Sequence, residues 1–280
     1  MKHKKNKSGG KILLKLFLII LIIFGLWYFE NFTIHTSKTT IESSKVSSEL
    51  NIVQISDLHG HEFGSDNKRL INKISNLSPD LIFVTGDMYT SRDSIGMDVA
   101  TQLIVRLCDI APVYFVPGEH DNNEEFMFEL KSSGVNVMDY KMKDITVKGN
   151  KIEIYGIDNV YYSPTFDLHN EFDSPEPEKL NILLAHIPYY NKLMQFKADI
   201  TLCGDTHGGV IQIPFLGPMY FEGEWFPEIT KGRKNVTDRG LFSDGNEHYM
   251  YVSAGLGNYP VPARLFNRPE LTFIRIKPKE

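Results

Sequence analysis

The feature that most constrains this chain is a series of short, near-continuous apolar runs, each ending abruptly in a polar loop. They are Ile52-Val53-Gln54-Ile55, Leu81-Ile82-Phe83-Val84, Val113-Tyr114-Phe115-Val116, Ile152-Glu153-Ile154-Tyr155, Ile182-Leu183-Leu184, Ile200-Thr201-Leu202 and Tyr249-Met250-Tyr251-Val252. Runs this short and this rich in β-branched residues read as strands buried on both faces. Between the early ones stand apolar residues at helical spacing: Leu70, Ile71, Ile74 and Leu77, then Val99, Leu103, Ile104 and Leu107. Strands alternating with amphipathic helices predict α/β layers around a buried sheet. After Val135 the helical filler thins, and Val147-Lys148-Gly149-Asn150-Lys151-Ile152 predicts a hairpin about a Gly-Asn turn, which makes the sheet mixed.

The residues that follow each strand carry the chemistry. Ile55 leads to Asp57 and His59, Val84 to Gly86-Asp87, and Val116 to Gly118-Glu119-His120-Asp121; Leu184 leads to Ala185-His186 and Leu202 to Gly204-Asp205-Thr206-His207-Gly208-Gly209. In open α/β sheets the carboxyl ends of the strands form the binding crevice, so five loops bring carboxylates and imidazoles to one rim. Each residue alone has a structural explanation: Asp87 as a helix cap, His186 as a hydrogen-bonded core histidine, Asp57 as a turn closer. Their coincidence on five strand ends points instead to cations. Oxygen and imidazole ligands suit Mn²⁺, Fe, Zn²⁺ or Mg²⁺. Two such ions about 3.5–4 Å apart, bridged by a carboxylate, generate hydroxide at neutral pH and clamp the centre it attacks.

The first 48 residues read differently. Lys2, Lys4, Lys5 and Lys7 precede an apolar stretch, Ile12 to Phe29, interrupted only by Lys15 among charged residues. At 1.5 Å per residue this reaches about 27 Å, close to the hydrocarbon thickness of a bilayer, and Trp27 and Tyr28 stand where an interfacial aromatic belt falls. No small-x-small cleavage site follows, so an uncleaved anchor is expected over a signal peptide. Six lysines and no acid before residue 16 place the N-terminus in the cytoplasm and the remainder outside. The expected division is a basic tail (1–11), a transmembrane anchor (12–29), a Ser/Thr-rich tether with one short leading strand (30–48) and a globular domain (49–280).

Without those six lysines, 24 basic residues face 35 acidic ones, a formal charge of −11. Such a domain lacks the basic footprint of a nucleic-acid binder, and no nucleic-acid partner is expected. Cys108 and Cys203 lie in apolar runs and read as small core residues rather than as a disulfide or a zinc pair.

The five motifs stand in the order and rough spacing of the calcineurin-like metallophosphoesterases, which the chain resembles from about Ile52 onward. The tail Tyr251-Val252-Ser253-Ala254-Gly255-Leu256-Gly257, with Pro262-x-Arg264 and Arg268-Pro269-Glu270-Leu271, resembles a membrane-associated bacterial branch, some of whose members are similar to UDP-diacylglucosamine pyrophosphatases. The resemblance implies a four-layer α/β/β/α sandwich with mixed central sheets behind one N-terminal transmembrane helix. It implies a hydrolase of a phosphomonoester, phosphodiester or pyrophosphate, soluble or lipid-linked, with hydroxide on a dinuclear centre as nucleophile. Motif by motif, Asp57, His59 and His207 would hold the first ion, Asp87 would bridge, and His186 would hold the second. His120 would stand near the leaving group and Asp121 would orient it.

Two positions depart from that pattern. Glu119 replaces the usual Asn and Asp205 the usual His, both expected ligands of the second ion. Four carboxylates would then face two divalent ions, and the less positive centre activates water less. This favours a harder ion, Mn²⁺ above all. The alternative is a weakened or inactive family member acting as a binding or scaffold protein. His61 and Arg264 are further candidate phosphate contacts, set against an exposed loop histidine and a structural ion pair. The apolar stretch from Pro214 to Phe221 and on through Trp225-Phe226-Pro227 reads as a long loop that packs over its own core or rests on lipid.

Overall fold

The structure is a computed structural model that describes residues 7–158, 167–221, 224–225, 236–238 and 240–279. Helix α1 (Lys7–Phe32) leads into strands β1 (His35–Ser43) and β2 (Leu50–Ile55). Then α2 (Lys68–Ser75), β3 (Leu81–Thr85), α3 (Ser94–Leu107), β4 (Val113–Val116), α4 (Glu124–Ser132) and β5 (Asn136–Val137) alternate. The second half runs through β6 (Lys141–Val147), β7 (Asn150–Gly156), β8 (Leu180–Leu184), the single turn α5 (Tyr190–Leu193) and β9 (Ile200–Cys203). Two small hairpins follow, β10 (Gln212–Ile213) with β11 (Gly217–Pro218) and β12 (Tyr220–Phe221) with β13 (Glu224–Trp225). The described chain closes with β14 (Val236–Asp238), β15 (Leu241–Ser243), β16 (Tyr249–Val252) and β17 (Glu270–Pro278).

Two mixed sheets result. One has the order β1-β17-β2-β3-β4-β5, the other β14-β15-β16-β9-β8-β7-β6. The period-2 alternation of each strand explains why they stack. In β3, Leu81 and Phe83 point toward the second sheet while Ile82 and Val84 point toward the helices; in β9, Ile200 and Leu202 face the first sheet and Cys203 faces outward. Helices α2 to α4 cover the first sheet with Leu70 and Ile74, Leu103, Ile104 and Leu107, and Phe126 and Leu130 in turn. The outer face of the second sheet is covered by α5 and short 3₁₀ turns carrying Leu168, Leu193 and Phe196. This is a four-layer α/β/β/α sandwich with mixed sheets, as the family resemblance implies, and its last helical layer is thin.

Local details differ from expectation where side-chain context decides. The β6–β7 turn is Lys148-Gly149, both with positive φ (51° and 83°), while Asn150 opens β7 and its buried amide binds the Ser47 and Ser48 backbone. The Ser/Thr-rich stretch carries a nine-residue strand, β1, paired in parallel with β17 and burying Ile41; this is longer than the short leading strand expected. Cys203 is buried and Cys108 half-buried, both as free thiols.

Helix α1 is long and apolar enough over Gly10–Phe32 to cross a membrane, and its apolar side chains from Ile12 to Phe29 are exposed. Its last turns are not bare. Trp27 Nε1 donates to Pro262 O (2.9 Å), and buried Asn31 exchanges hydrogen bonds with the backbone N–H and C=O of Arg264 (2.8 and 3.1 Å).

Candidate metal centre

Strands β2, β3 and β4 are mutually parallel, as are β7, β8, β9 and β16, and the loops at their carboxyl ends interlock. Asp57 N–H donates to Gly86 O (2.9 Å), Gly204 N–H to His186 O (2.9 Å), and Leu256 N–H to Ser56 O (3.0 Å). Asp57, His59, Asp87, Asp205 and His207 all have positive φ, between 48° and 71°. Non-glycine residues take that conformation when the surroundings over-determine it, which is common at functional sites. The close approach of the loops requires glycine at two positions. A Cβ on Gly118 would stand 2.1 Å from Asp87 Oδ1, and one on Gly204 would stand 1.9 Å from Ser56 Oγ.

The side chains converge in three overlapping groups: Asp57, His59 and His207; His59, Asp87 and His120; Asp57, Asp87 and His186. Asp87 is central. Its Oδ2 lies 3.4 Å from His186 Nε2, 3.8 Å from His59 Nε2 and 4.0 Å from His120 Nε2, while its Oδ1 accepts the His120 backbone N–H (3.0 Å). The Nε2 atoms of His59 and His207 face each other at 3.1 Å. His186 Nδ1 lies 2.7 Å from Thr85 O, so Nδ1 carries a proton and Nε2 is the ring atom that faces the centre, 3.8 Å from Asp205 Oδ1.

The donor set fits cations. Asp57 Oδ2 and His186 Nε2 are buried with no hydrogen-bond partner, although buried polar atoms are almost always satisfied. Burial pushes the Asp57 carboxyl up to about 7, with the Asp87 and Asp205 charges adding to it. Burial pushes His59 down to about 4 and His207 well below its usual range, which leaves both imidazoles neutral and able to ligate. His186 is opposite: burial alone would lower it, but the Asp87, Asp57 and Asp205 carboxylates raise it well above the ordinary value. Three carboxyl groups, Asp57, Asp87 and Asp205, gathered around one buried point favour bound positive charge.

Not every residue singled out from sequence joins this cluster. Glu119 is 47% exposed in its side chain, outside all three groups, with Oε1 3.9 Å from His120 Nε2. The carboxylates within the cluster are therefore Asp57 and Asp87 with Asp205 beside His186, three where four were expected. Asp121 is fully buried, and its oxygens accept the N–H groups of Asp87 (2.6 Å), Met88 (2.9 Å) and Gly118 (3.0 Å). It braces the loop beneath Asp87 rather than orienting His120. Ser91 takes that part: its backbone N–H donates to His120 Nδ1 (3.2 Å), with Oγ at 3.1 Å. His61 is packed between Phe32 of α1 and Phe63, with ring centroids 5.6 and 4.6 Å away.

Arg264 is buried, and its guanidinium donates to the carbonyls of Gly257 (2.7 Å), Ala254 (2.9 Å), Asn267 (3.2 Å) and Gly255 (3.3 Å). Its donors are turned to backbone, not to a phosphate site, and it knits the 254–267 loop. Arg264→Gln is expected to leave several of those carbonyls unpaired and to destabilise the protein by about 3 kcal/mol, measured by denaturant unfolding; a loss of turnover with unchanged stability would show a substrate contact instead. The same loop carries Tyr259, which sequence reasoning missed. Its ring stacks on His59 at 4.5 Å and 12° and stands edge-on to His120 at 5.1 Å. Of the 214–227 aromatic stretch, Phe215 and Trp225 are exposed, and Phe226 lies outside the described residues.

Parallel strand ends that deliver buried carboxylates and imidazoles around two unpartnered buried polar atoms form a candidate site for divalent metal ions. The comparisons with known proteins agree on the class. A family model described as calcineurin-like phosphoesterase matches residues 50–209, and the chain belongs to that family. It is 30% identical over 263 residues to a protein of Bacillus subtilis (strain 168) named uncharacterized metallophosphoesterase YkuE, covering 89% of this chain and 88% of that one. It is 26% identical over 208 residues to phosphodiesterase YaeI of Escherichia coli (strain K12), covering 71% and 70%. With a Bos taurus protein named transmembrane protein with metallophosphoesterase domain it shares 27% identity over 80% of this chain, which spans about half the length of that relative, 52%. The chain is thus a hydrolase acting on phosphoester bonds, and calcineurin-like phosphoesterases use divalent metal ions.

Proposed function

We propose that this protein is a membrane-anchored phosphoesterase that hydrolyses a phosphomonoester, phosphodiester or pyrophosphate at a centre of two divalent ions. The observation that carries it is the pair of orphaned buried atoms, Asp57 Oδ2 and His186 Nε2, set among neutral imidazoles on five strand ends. Asp57, His59 and His207 would hold one ion, Asp87 would lie between the two, and His186 with Asp205 would hold the other. When bound, the ions supply Lewis acidity toward a phosphoryl oxygen and lower the pKa of water. Oxygen ligands balanced against imidazoles favour Mn²⁺.

The protein side of the reaction falls to His120. Since Nδ1 receives the Ser91 N–H, its proton resides on Nε2, the atom aimed toward Asp87. When the ring takes a second proton at Nδ1, toward Ser91 Oγ (3.1 Å), Nε2 can give its own proton to a departing oxygen and leave a neutral imidazole. His120→Ala is expected to lower turnover of an alkyl phosphodiester by about 10²-fold or more with metal content retained. A nitrophenyl ester, whose leaving group needs no proton, should lose far less. Equal loss on both would remove His120 from that role.

Helix α1, with its lysine-rich start, supports a single span with the N-terminus in the cytoplasm and the hydrolase domain outside. The tail that resembles UDP-diacylglucosamine pyrophosphatase-type enzymes makes a lipid-linked phosphate a candidate substrate alongside soluble ones. The test is hydrolysis of a chromogenic phosphodiester by the full chain in detergent with added Mn²⁺. Turnover abolished by chelation supports the proposal. No turnover under any divalent ion would favour the binding or scaffold alternative.

A further inference from the structure

The loop that roofs the metal site is also the one to which the anchor is tied. Tyr259, Pro260, Val261, Pro262, Ala263, Leu265 and Phe266 are all exposed, with Val261 at 57% and Phe266 at 60%. No exposed residue from 259 to 266 is charged. Its one charged residue, Arg264, is turned inward onto backbone carbonyls. Surfaces facing water rarely group so many bare apolar side chains without a charge among them, and such a patch marks a contact.

The anchor shows what covers it. Trp27 Nε1 bonds Pro262 O, which sets Pro262 level with a residue five positions before the end of the helix at Phe32, about 7 Å back along its axis. A span needs about 20 residues; counted from Ile12, these run to Asn31. The level of Trp27 therefore lies inside the bilayer boundary, and the loop beside it enters with the helix.

The polar groups of the last turns are prepared for that. Glu30 Oε2 accepts the Asn267 N–H (3.2 Å), and Asn31 is fully buried against Arg264. Thr33 Oγ1 accepts from Arg268 Nε (3.0 Å), while the Arg268 guanidinium lies over the Phe29 ring at 4.2 Å. The adjoining β10–β11 hairpin, tied to the loop by Gln212 N–H to Leu265 O (2.9 Å), adds exposed Phe215 and Leu216 at its tip.

We infer that the 259–266 loop is a second membrane contact, seated in the bilayer interface beside the anchor and holding the metal site at headgroup level. The partner is the bilayer surface itself, and the inference rests on the proposed span. Together with the docked end of the helix, the contact fixes the domain's tilt on the bilayer. Tyr259 is the link, since it belongs to the apolar loop and also stacks on His59.

The experiment uses the full chain in phosphatidylcholine–phosphatidylglycerol vesicles carrying shallow spin-labelled lipids, with Cys108→Ser in the background. An environment-sensitive fluorophore is placed in turn at Val261→Cys and Phe266→Cys, at Leu18→Cys in the span, and at exposed Ile95→Cys on α3. The inference expects quenching of about twofold or more at 18, 261 and 266, and none at 95. Quenching at 18 with 261 and 266 behaving like 95 would overturn it and leave the anchor intact. No quenching at 18 would overturn the span, and the inference with it.

Discussion

Asp87→Asn is expected to lower turnover of a chromogenic phosphodiester by about 10³-fold or more and to weaken metal binding. The substitution keeps the shape of the side chain, and Oδ1 still accepts the His120 N–H as in the native protein. What is lost is the anion whose Oδ2 faces the Nε2 atoms of His186, His59 and His120 within 4.0 Å. Every 1.36 kcal/mol of lost transition-state stabilisation is tenfold in rate, and a metal clamp contributes several kcal/mol. The measurement is steady-state turnover with elemental analysis of the same sample. Wild-type turnover in the variant would show that the centre lies elsewhere.

Removing the ions is expected to cost stability as well as activity. With cations gone, Asp57 is a fully buried carboxyl whose Oδ2 has no hydrogen-bond partner, and burial disfavours its charge with nothing bound to offset it. A ligand present at a thousand times its Kd stabilises the native state by about 4 kcal/mol, so chelation should lower Tm by roughly 8–16 °C for a domain of this size. Calorimetry before and after chelation checks it, and restoring Mn²⁺ should restore Tm. An unchanged Tm would mean that no ion is resident.

Much of the site is legible in the sequence because strand ends are. Once β2, β3, β8 and β9 are read as parallel strands, Asp57 and Asp87 fall at the carboxyl end of one sheet and His186 and His207 at that of the other, and the stacking of the two sheets joins them at one rim. What stays illegible is which way a side chain turns. Glu119 sits on the right loop, yet its carboxylate faces outward, and no local pattern distinguishes that from a ligand. Asp121 is adjacent in sequence to His120 but serves three backbone N–H groups, a role visible only when the 86–88 and 118–121 loops are packed together. Arg264 carries the same lesson: a guanidinium suits phosphate, but four backbone carbonyls that curl around it serve as well. The docking of α1 on the 258–268 loop joins residues more than 200 positions apart, which neither periodicity nor composition encodes.

The central claim is a centre of two ions, and the most direct measurement is the number of divalent ions per chain in the full-length protein, by elemental analysis after exposure to Mn²⁺ and removal of the excess. Two ions per chain, reduced to about one by His186→Ala while His59 and His207 remain intact, is the result expected here. One ion or none in the wild-type protein, with no change on His186→Ala, would contradict it.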